Sequence, residues 1–410
     1  MNGTLFSMFS FINRGMAFVL LVILARYIMP AEYGRLSLFN TIVALLGFFI
    51  ALSTEGYMSV SFFQRKKEDF SQDVTSISLV TVACTVVIGI ILLFSQNAIA
   101  FMADLPPVFL WFALIICFSE LFYRLLLDLL RIQEKVIRYG LLSCGVAVVS
   151  FILSIYMVVY KDLNWEGRVY THLLISVAGG LFGIFVLAKR KLFDKSVTWG
   201  GTKDVIKWGI PLIPHQATSW IKQGCDRFII NGFHTIESVG IFSFALNMTS
   251  IINMIGMAFN ATNSVTIYQI LGSEKTAEQK KNELKKQTKI IWLIYTAGYL
   301  GVLIIGTLLV QFALPKYVDS LPFFWILSVS GYLQCLYYLF VNYLFFYFRN
   351  KNIMIITFLT SLLHLGLSIT LTRYSLYCTA VIYIVSQAVV LLLIASEAKK
   401  VVREKLVDVD

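Results

Sequence analysis

Along the chain, runs of twenty or more mostly apolar residues alternate with short connections rich in charge or turn formers. The runs fall at about 5–28, 35–63, 72–95, 106–127, 139–160, 168–188, 207–232, 236–271, 289–313, 321–348, 352–372 and 374–397. An α-helix needs about 20 residues to cross a hydrocarbon layer of about 30 Å. The pattern therefore predicts an all-α polytopic membrane protein of about twelve transmembrane helices, several long enough to tilt or to continue past the membrane. The first run, from Leu5 to Ile28, is too long for the apolar core of a secretory signal and lacks a small-residue cleavage site, so it is expected to remain as a spanning helix.

Composition agrees with that pattern. Of 410 residues 58% are hydrophobic and 14% charged, against roughly 45–50% and about 25% in a soluble domain. The net charge of +11 is spread over short loops, which excludes the single basic face that nucleic acid requires and points to anionic lipid instead. The six cysteines lie within apolar runs without C-x-x-C spacing, and His172, His215, His234 and His364 are scattered. Neither set has the spacing of a metal or redox centre, so no cofactor or metal is expected.

Basic residues set the orientation. Even-numbered connections and the C-terminal tail hold 24 of them and odd-numbered connections six, Arg26, Arg35, Lys161, Arg168, Lys316 and Arg373. The excess marks the cytoplasmic side and places both termini there. The two longest connections, 189–206 and 272–288, are Lys-rich and too short for a catalytic domain. What is left is a transporter, a channel, or an enzyme whose site is built within the membrane.

A weak repeat separates two halves: Glu32-Tyr33-Gly34-Arg35-Leu36-Ser37 recurs as Ser238-Val239-Gly240-Ile241-Phe242-Ser243, an offset of 206. Six helices per half give both halves the same orientation, hence two six-helix bundles related by a pseudo-two-fold along the membrane normal, with the substrate path between them. The expected division is an N-terminal bundle over 1–195, a cytoplasmic linker over 196–206, a C-terminal bundle over 207–398 and a cytoplasmic tail over 399–410.

Four basic residues, Arg14, Arg124, Lys222 and Arg227, are left inside helices. Intramembrane charge is costly and faces protein or water. Lys222 and Asp226 are four apart and share a helical face, with Arg227 turned away from them. One reading is a cationic lining in which Asp226 holds Lys222 and Arg227 meets an anion; the other is a neutral interhelical pair. Pro211 and Pro214 remove backbone donors and are expected to bend this helix, as a hinge or as static packing. Arg14 extends a polar stripe with Ser7 and Ser10, facing either a water-filled cavity or a partner at Glu55 or Glu120. Glu120 and Arg124 are again four apart and can neutralise each other. Thr249, Asn253, Gly256, Asn260 and Asn263 follow one helical face, suited to sugar hydroxyls or to interhelical contacts. The tyrosines near Trp325 read as an interfacial belt more readily than as sugar platforms.

Two stretches resemble the polysaccharide branch of the multidrug/oligosaccharidyl-lipid/polysaccharide (MOP) exporter superfamily, in particular Wzx-type O-antigen and capsule flippases. The first is Asn13-Arg14-Gly15 followed by Leu24-Ala25-Arg26-Tyr27-Ile28-Met29-Pro30-Ala31-Glu32-Tyr33-Gly34. The second runs Gly209-Ile210-Pro211-Leu212-Ile213-Pro214-His215, then Asp226-Arg227-Phe228-Ile229-Ile230, then Val239-Gly240-Ile241-Phe242-Ser243-Phe244-Ala245. The resemblance implies two six-helix bundles around a central cavity in the bacterial cytoplasmic (inner) membrane. It implies a non-enzymatic transporter that moves an undecaprenyl-pyrophosphate-linked oligosaccharide to the periplasmic leaflet for O-antigen (lipopolysaccharide) or capsule, with membrane lipids, polymerase and chain-length regulator proteins as partners.

By that resemblance Arg14, Lys222 and Arg227 attract the pyrophosphate, with Arg124, Asn253 and Asn260 as further substrate candidates. Glu55, Glu120 and Asp226 are the candidates for coupling to protons or sodium. The alternatives are a drug/cation antiporter of the same fold, which favours an acidic cavity, and an O-antigen polymerase or ligase, which carries a long periplasmic loop that this chain lacks.

Overall fold

The computed structural model describes residues 2–194 and 197–407; within these, the side chains of 2–4, 7, 67–68, 214–216, 219, 223 and 405–407 lie outside the description. Every regular element among the described residues is helical. By packing the chain divides into two compact units, Met1–Trp220 and Ile221–Asp410. Eleven helical stretches among the described residues are long and apolar enough to cross a membrane.

The first unit contains α1 (Asn2–Tyr27), α2 (Pro30–Ala51), α3 (Glu55–Gln64), α4 (Lys67–Ala103), α5 (Val108–Ile132), α6 (Val136–Ile155) continued by a π-turn (Tyr156–Tyr160), α7 (Asn164–Lys189), α8 (Trp199–Gly209) and α9 (Ile213–Trp220). Extended Met29 and Pro30 start α2, since proline's missing N–H costs nothing in a first turn. α2 and α3 form one span, 30–64, broken where Leu52 and Ser53 take φ of 44° and 57°. On α4 the lipid-side positions are apolar and exposed, among them Val86, Val87, Ile90, Ile91 and Phe94, as a bilayer requires. The inward side of the unit is a core of Met58, Val74, Ile77, Leu121, Leu125 and Leu129.

The second unit contains a π-turn (Ile221–Cys225), α10 (Asp226–Phe233), α11 (Ile236–Leu271), α12 (Ala277–Ala313), α13 (Leu321–Phe346), α14 (Asn350–Leu371) and α15 (Leu376–Val407). Its core includes Val341, Leu344, Val390 and Ile394, with Tyr337, Tyr338 and Tyr347 packed against it. Those tyrosines are partly buried against it. The Lys-rich stretch 272–288 is mostly helical: a capping box of Thr276 and Gln279 starts α12 at Ala277.

Two sequence expectations meet a different local structure. The seventh run, 207–232, is not one helix but α8, a 3-10 turn (Ile210–Leu212), α9, a π-turn and α10, so no piece spans alone. Pro211 lies in the 3-10 turn, where a ring without an N–H cannot continue the α ladder; the side chain of the second expected hinge proline, Pro214, lies outside the described residues. The packing division also falls downstream of the 196–206 linker, because α8 and α9 pack against α4 and α2 of the first unit.

The repeat has a structural counterpart. Counting Pro30 and Ile236 as first, Gly34 and Gly240 are each the fifth residue of their helix and Ser37 and Ser243 each the eighth, and all four are buried. Within the first copy, Arg35 bridges Glu32 at 2.7 Å and reaches Asp104 at 3.1 Å with its side chain 31% exposed. Such screened pairs contribute little, so Arg35→Ala is expected to change unfolding stability by less than about 1 kcal/mol in detergent. A larger loss by thermal melting would mean that these pairs are shielded from solvent.

Candidate functional site

Each unit sets a carboxylate against a histidine, half-buried in the first unit and buried in the second. In the first, α5 and α7 approach so closely that a Cβ on Gly180 would stand 2.6 Å from the Ser119 carbonyl oxygen, and one on Gly183 2.5 Å from that of Phe122. Glycine at both positions lets the backbones meet. The approach sets His172 and Ser176 of α7 opposite Glu120 of α5. His172 Nε2 lies 2.7 Å from Glu120 Oε1, and Ser176 Oγ donates to the same oxygen at 3.4 Å. Arg124 Nη2 donates to Glu120 Oε2 at 2.8 Å, and its Nη1 to Glu55 Oε1 at 3.2 Å.

These groups border a cavity of about 370 Å³ whose lining includes Asn40, Ser53, Glu55, Arg124 and His172. With a neutral imidazole the cluster carries two negative charges and one positive, a net of −1. A structural pair between Arg14 and either Glu55 or Glu120 is therefore replaced by Arg124, which holds both carboxylates. Arg14 is exposed on α1, and among the described residues no ion pair forms at it. The side chain of Ser7, from the same stripe, lies outside the described residues.

In the second unit Asp226 opens α10 and is 1% exposed. Its Oδ2 lies 2.8 Å from His364 Nε2, and Ser368 Oγ donates to its Oδ1. His364 Nδ1 meets Ser386 Oγ at 3.0 Å, and the Tyr383 ring stands edge-on to the imidazole at 4.8 Å. From Ser368 a hydroxyl chain continues through Thr372 at 3.4 Å to Thr379 at 2.9 Å, and His234 Nε2 reaches the Thr372 carbonyl at 2.6 Å. Buried polar groups are tolerated when each is satisfied.

The Lys222–Asp226 pair expected from the i,i+4 spacing does not form. A π-turn over Ile221–Cys225 widens the turn and spoils the register that an α-helix would give, and Asp226 is held by α14 instead. Among the described residues no ion pair forms at half-buried Lys222. Arg227 Nε donates to Ser243 Oγ of α11 at 3.2 Å. Arg14 and Arg124 thus belong to the first unit, Lys222 and Arg227 to the second.

The polar face of α11 works mainly as interhelical contact. Asn260 Oδ1 accepts from Asn342 of α13 at 2.8 Å, Asn263 Oδ1 from Gln287 of α12 at 3.0 Å, and Gly256 packs under Cys335. Asn253 differs, with a buried Oδ1 that meets no partner.

Sequence reasoning missed His172, His364 and the two serines. A signal was present: His172-Leu173-Leu174-Ile175-Ser176 and His364-Leu365-Gly366-Leu367-Ser368 each place His and Ser four apart within an apolar run, on one helical face. Among the described residues no group of three or more His, Cys, Asp or Glu is arranged to hold a metal ion.

Comparison with known proteins adds to this picture. A family model described as "Polysaccharide biosynthesis protein" matches residues 1–265. The chain is 24% identical over 365 residues to "Lsg locus putative protein 1" of Haemophilus influenzae, covering 87% of this chain and 86% of the relative. It is also 24% identical over 358 residues to an uncharacterized membrane protein of the same organism, covering 85% and 84%. Among solved structures, the lipid II flippase MurJ in an inward closed conformation superposes with a TM-score of 0.78 at 13% identity, over 98% of this chain and 90% of the other. An inward-facing multidrug resistance MATE family transporter of the MOP superfamily gives 0.74 at 16% identity, over 94% of each. The fold is therefore that of the MOP superfamily.

Proposed function

The chain belongs to the polysaccharide biosynthesis protein family, and from that premise we propose that it is a flippase for undecaprenyl-pyrophosphate-linked oligosaccharides. It moves repeat units of a surface polysaccharide, such as O-antigen or capsule, from the cytoplasmic to the periplasmic leaflet of a bacterial inner membrane. The observation that carries this reading is the family match combined with likeness to a lipid II flippase over 98% of the chain. The similar likeness in fold to a multidrug transporter supports drug export less well, because the family match names polysaccharide biosynthesis.

The physical problem is to carry a pyrophosphate and many hydroxyls through hydrocarbon, where each unpaired polar group costs several kcal/mol. Cations substitute for water around the phosphates while the polyprenyl tail stays in lipid. Arg14, Lys222 and Arg227 are the proposed pyrophosphate ligands; Arg14, exposed, and Lys222, half-buried, stand outside any ion pair among the described residues. Asn253, with its buried unpartnered amide oxygen, is the proposed sugar contact. Alternating exposure moves the load only if the two states bind it unequally. Coupling through Glu55, Glu120 and Asp226 to protons or sodium supplies that inequality.

Deleting the gene is expected to strand lipid-linked repeat units on the cytoplasmic leaflet, with export restored by the wild-type chain and reduced at least about tenfold for Lys222→Ala. Lectin-accessible single units accumulating outside the membrane would instead identify a polymerase and overturn the reading.

A further inference from the structure

We propose that His172 and Glu120 form a proton-binding site that sets the joint between α2 and α3. The inference deepens the coupling role proposed above by naming the ion, the group that takes it and the element that responds.

The joint is a break in the middle of a span. Leu52 and Ser53 are consecutive left-handed residues, a conformation that side chains with a Cβ rarely adopt. One side of the break is held by packing: a Cβ on Gly209 would stand 2.1 Å from the Leu52 carbonyl oxygen, and the Trp208 ring covers Gly56 and meets Tyr57 edge-on at 5.8 Å. On its other side Ala51, Tyr57 and Met58 share a core with Leu121 and Leu125 of α5, and the one ion pair is that of Glu55, in the first turn of α3, with half-exposed Arg124 of α5. Between them lies the cavity of about 370 Å³, lined by Ala51, Ser53 and Glu55 from the joint itself. Close-packed interiors resist movement; a void at a break permits it.

Arg124 is shared between two carboxylates, at 2.8 Å from Glu120 and 3.2 Å from Glu55. His172 decides how it is shared. A neutral imidazole leaves the cluster at −1, with Glu120 drawing the guanidinium away from Glu55. An imidazolium pairs with Glu120 at the existing 2.7 Å, brings the cluster to zero and frees Arg124 to clamp Glu55. The site fits a proton better than a metal ion, since an ion between Glu55 and Glu120 would displace the guanidinium that already joins them. Imidazole is the side chain whose charge ordinarily changes between about pH 5 and pH 8.

The other groups around His172 do not supply this switch. α5 contributes Glu120, Arg124 and Asp128, the last paired with Arg131 at 2.7 Å, and the Cys117 thiol, directed at the Val43 carbonyl. α2 contributes neutral Asn40 to the cavity, and its charged residues, Glu32 and Arg35, pair with each other. On α7 itself, Glu166 accepts from Tyr170, and Arg168 donates to Ser150 and Ser154 of α6. α6 carries Arg138, and the π-turn behind α7 brings Tyr156 and Tyr160.

The test is hydrogen–deuterium exchange of the full-length protein in lipid nanodiscs, read on peptides covering residues 50–58 and corrected for intrinsic rates. Wild type is expected to exchange there at least about threefold more slowly at about pH 6 than at about pH 8. His172→Gln should exchange at the faster rate at both. Glu55→Gln, on the far side of Arg124, should also be fast and insensitive to pH, which keeps the test valid if His172→Gln folds poorly. Equal wild-type rates at the two pH values, or a pH difference that survives in either variant, overturns the proposal. No substrate is present, so such a failure leaves the flippase reading standing, and loss of that reading leaves this result unaffected.

Discussion

Removing the imidazole in His364→Ala is expected to destabilise the second unit by about 3 kcal/mol or more, because it leaves a buried carboxylate without its imidazole partner. Asp226 and His364 are each 1% exposed, so no water reaches the charge without opening the contact between α10 and α14. The double variant Asp226→Leu with His364→Leu removes both polar groups and keeps volume. It is expected to melt closer to wild type than His364→Ala does, as is common when a buried pair is replaced by apolar side chains. Thermal unfolding of the single and double variants in one detergent gives the coupling directly. If His364→Ala melts with wild type, Asp226 is not held by this network. On the coupling role proposed for Asp226, transport should fail in the double variant even where its melting stays near wild type; stability and activity are thereby separated.

How much of this was legible in the sequence depends on which physical signal each feature leaves. Spans are legible because lipid demands apolar length, and eleven of the twelve expected runs correspond to helices that meet that demand. The run over 207–232 is helical throughout but segmented, because Pro211 sits in a 3-10 turn and a π-turn follows α9, and hydropathy does not report such changes of ladder. The same π-turn undid the inference that Lys222 and Asp226 share a face. Glu120 and Arg124 sit on a regular stretch of α5, so their i,i+4 contact follows from spacing alone.

The histidines were harder. Their partners lie 52 and 138 residues away in sequence, and no local pattern encodes that distance. What was local, a serine one turn after each histidine, reads as ordinary helix polarity until a carboxylate is placed opposite. The repeat does not supply that placement: one histidine is on α7 and the other on α14, 192 positions apart rather than 206. The two pairs are thus separate solutions to one problem, holding a carboxylate inside a helical unit.

Gly183→Ala is expected to cost about 1–3 kcal/mol, and Gly180→Ala with Gly183→Ala more than either alone, because the added methyl meets backbone that cannot rotate aside. At Gly183 the new Cβ would lie 2.5 Å from the Phe122 oxygen and 2.7 Å from its carbonyl carbon; at Gly180 it would lie 2.9 Å from the Ser119 Cα. The helices must separate, and separation stretches the 2.7 Å contact between His172 and Glu120 that depends on it. Gly366→Ala on α14 is the control, with nothing within 4 Å of its Cβ; there the gain in helix propensity, about 0.5–1 kcal/mol, should appear unopposed. Melting temperatures should therefore move in opposite directions for the same chemical change. Gly183→Ala should also abolish any pH response of residues 50–58 while leaving the network around Asp226 intact, since that network lies wholly within the second unit. A Gly183→Ala protein as stable as wild type would mean that α5 and α7 have slack between them, and that the Glu120 carboxylate is positioned by something other than their close approach.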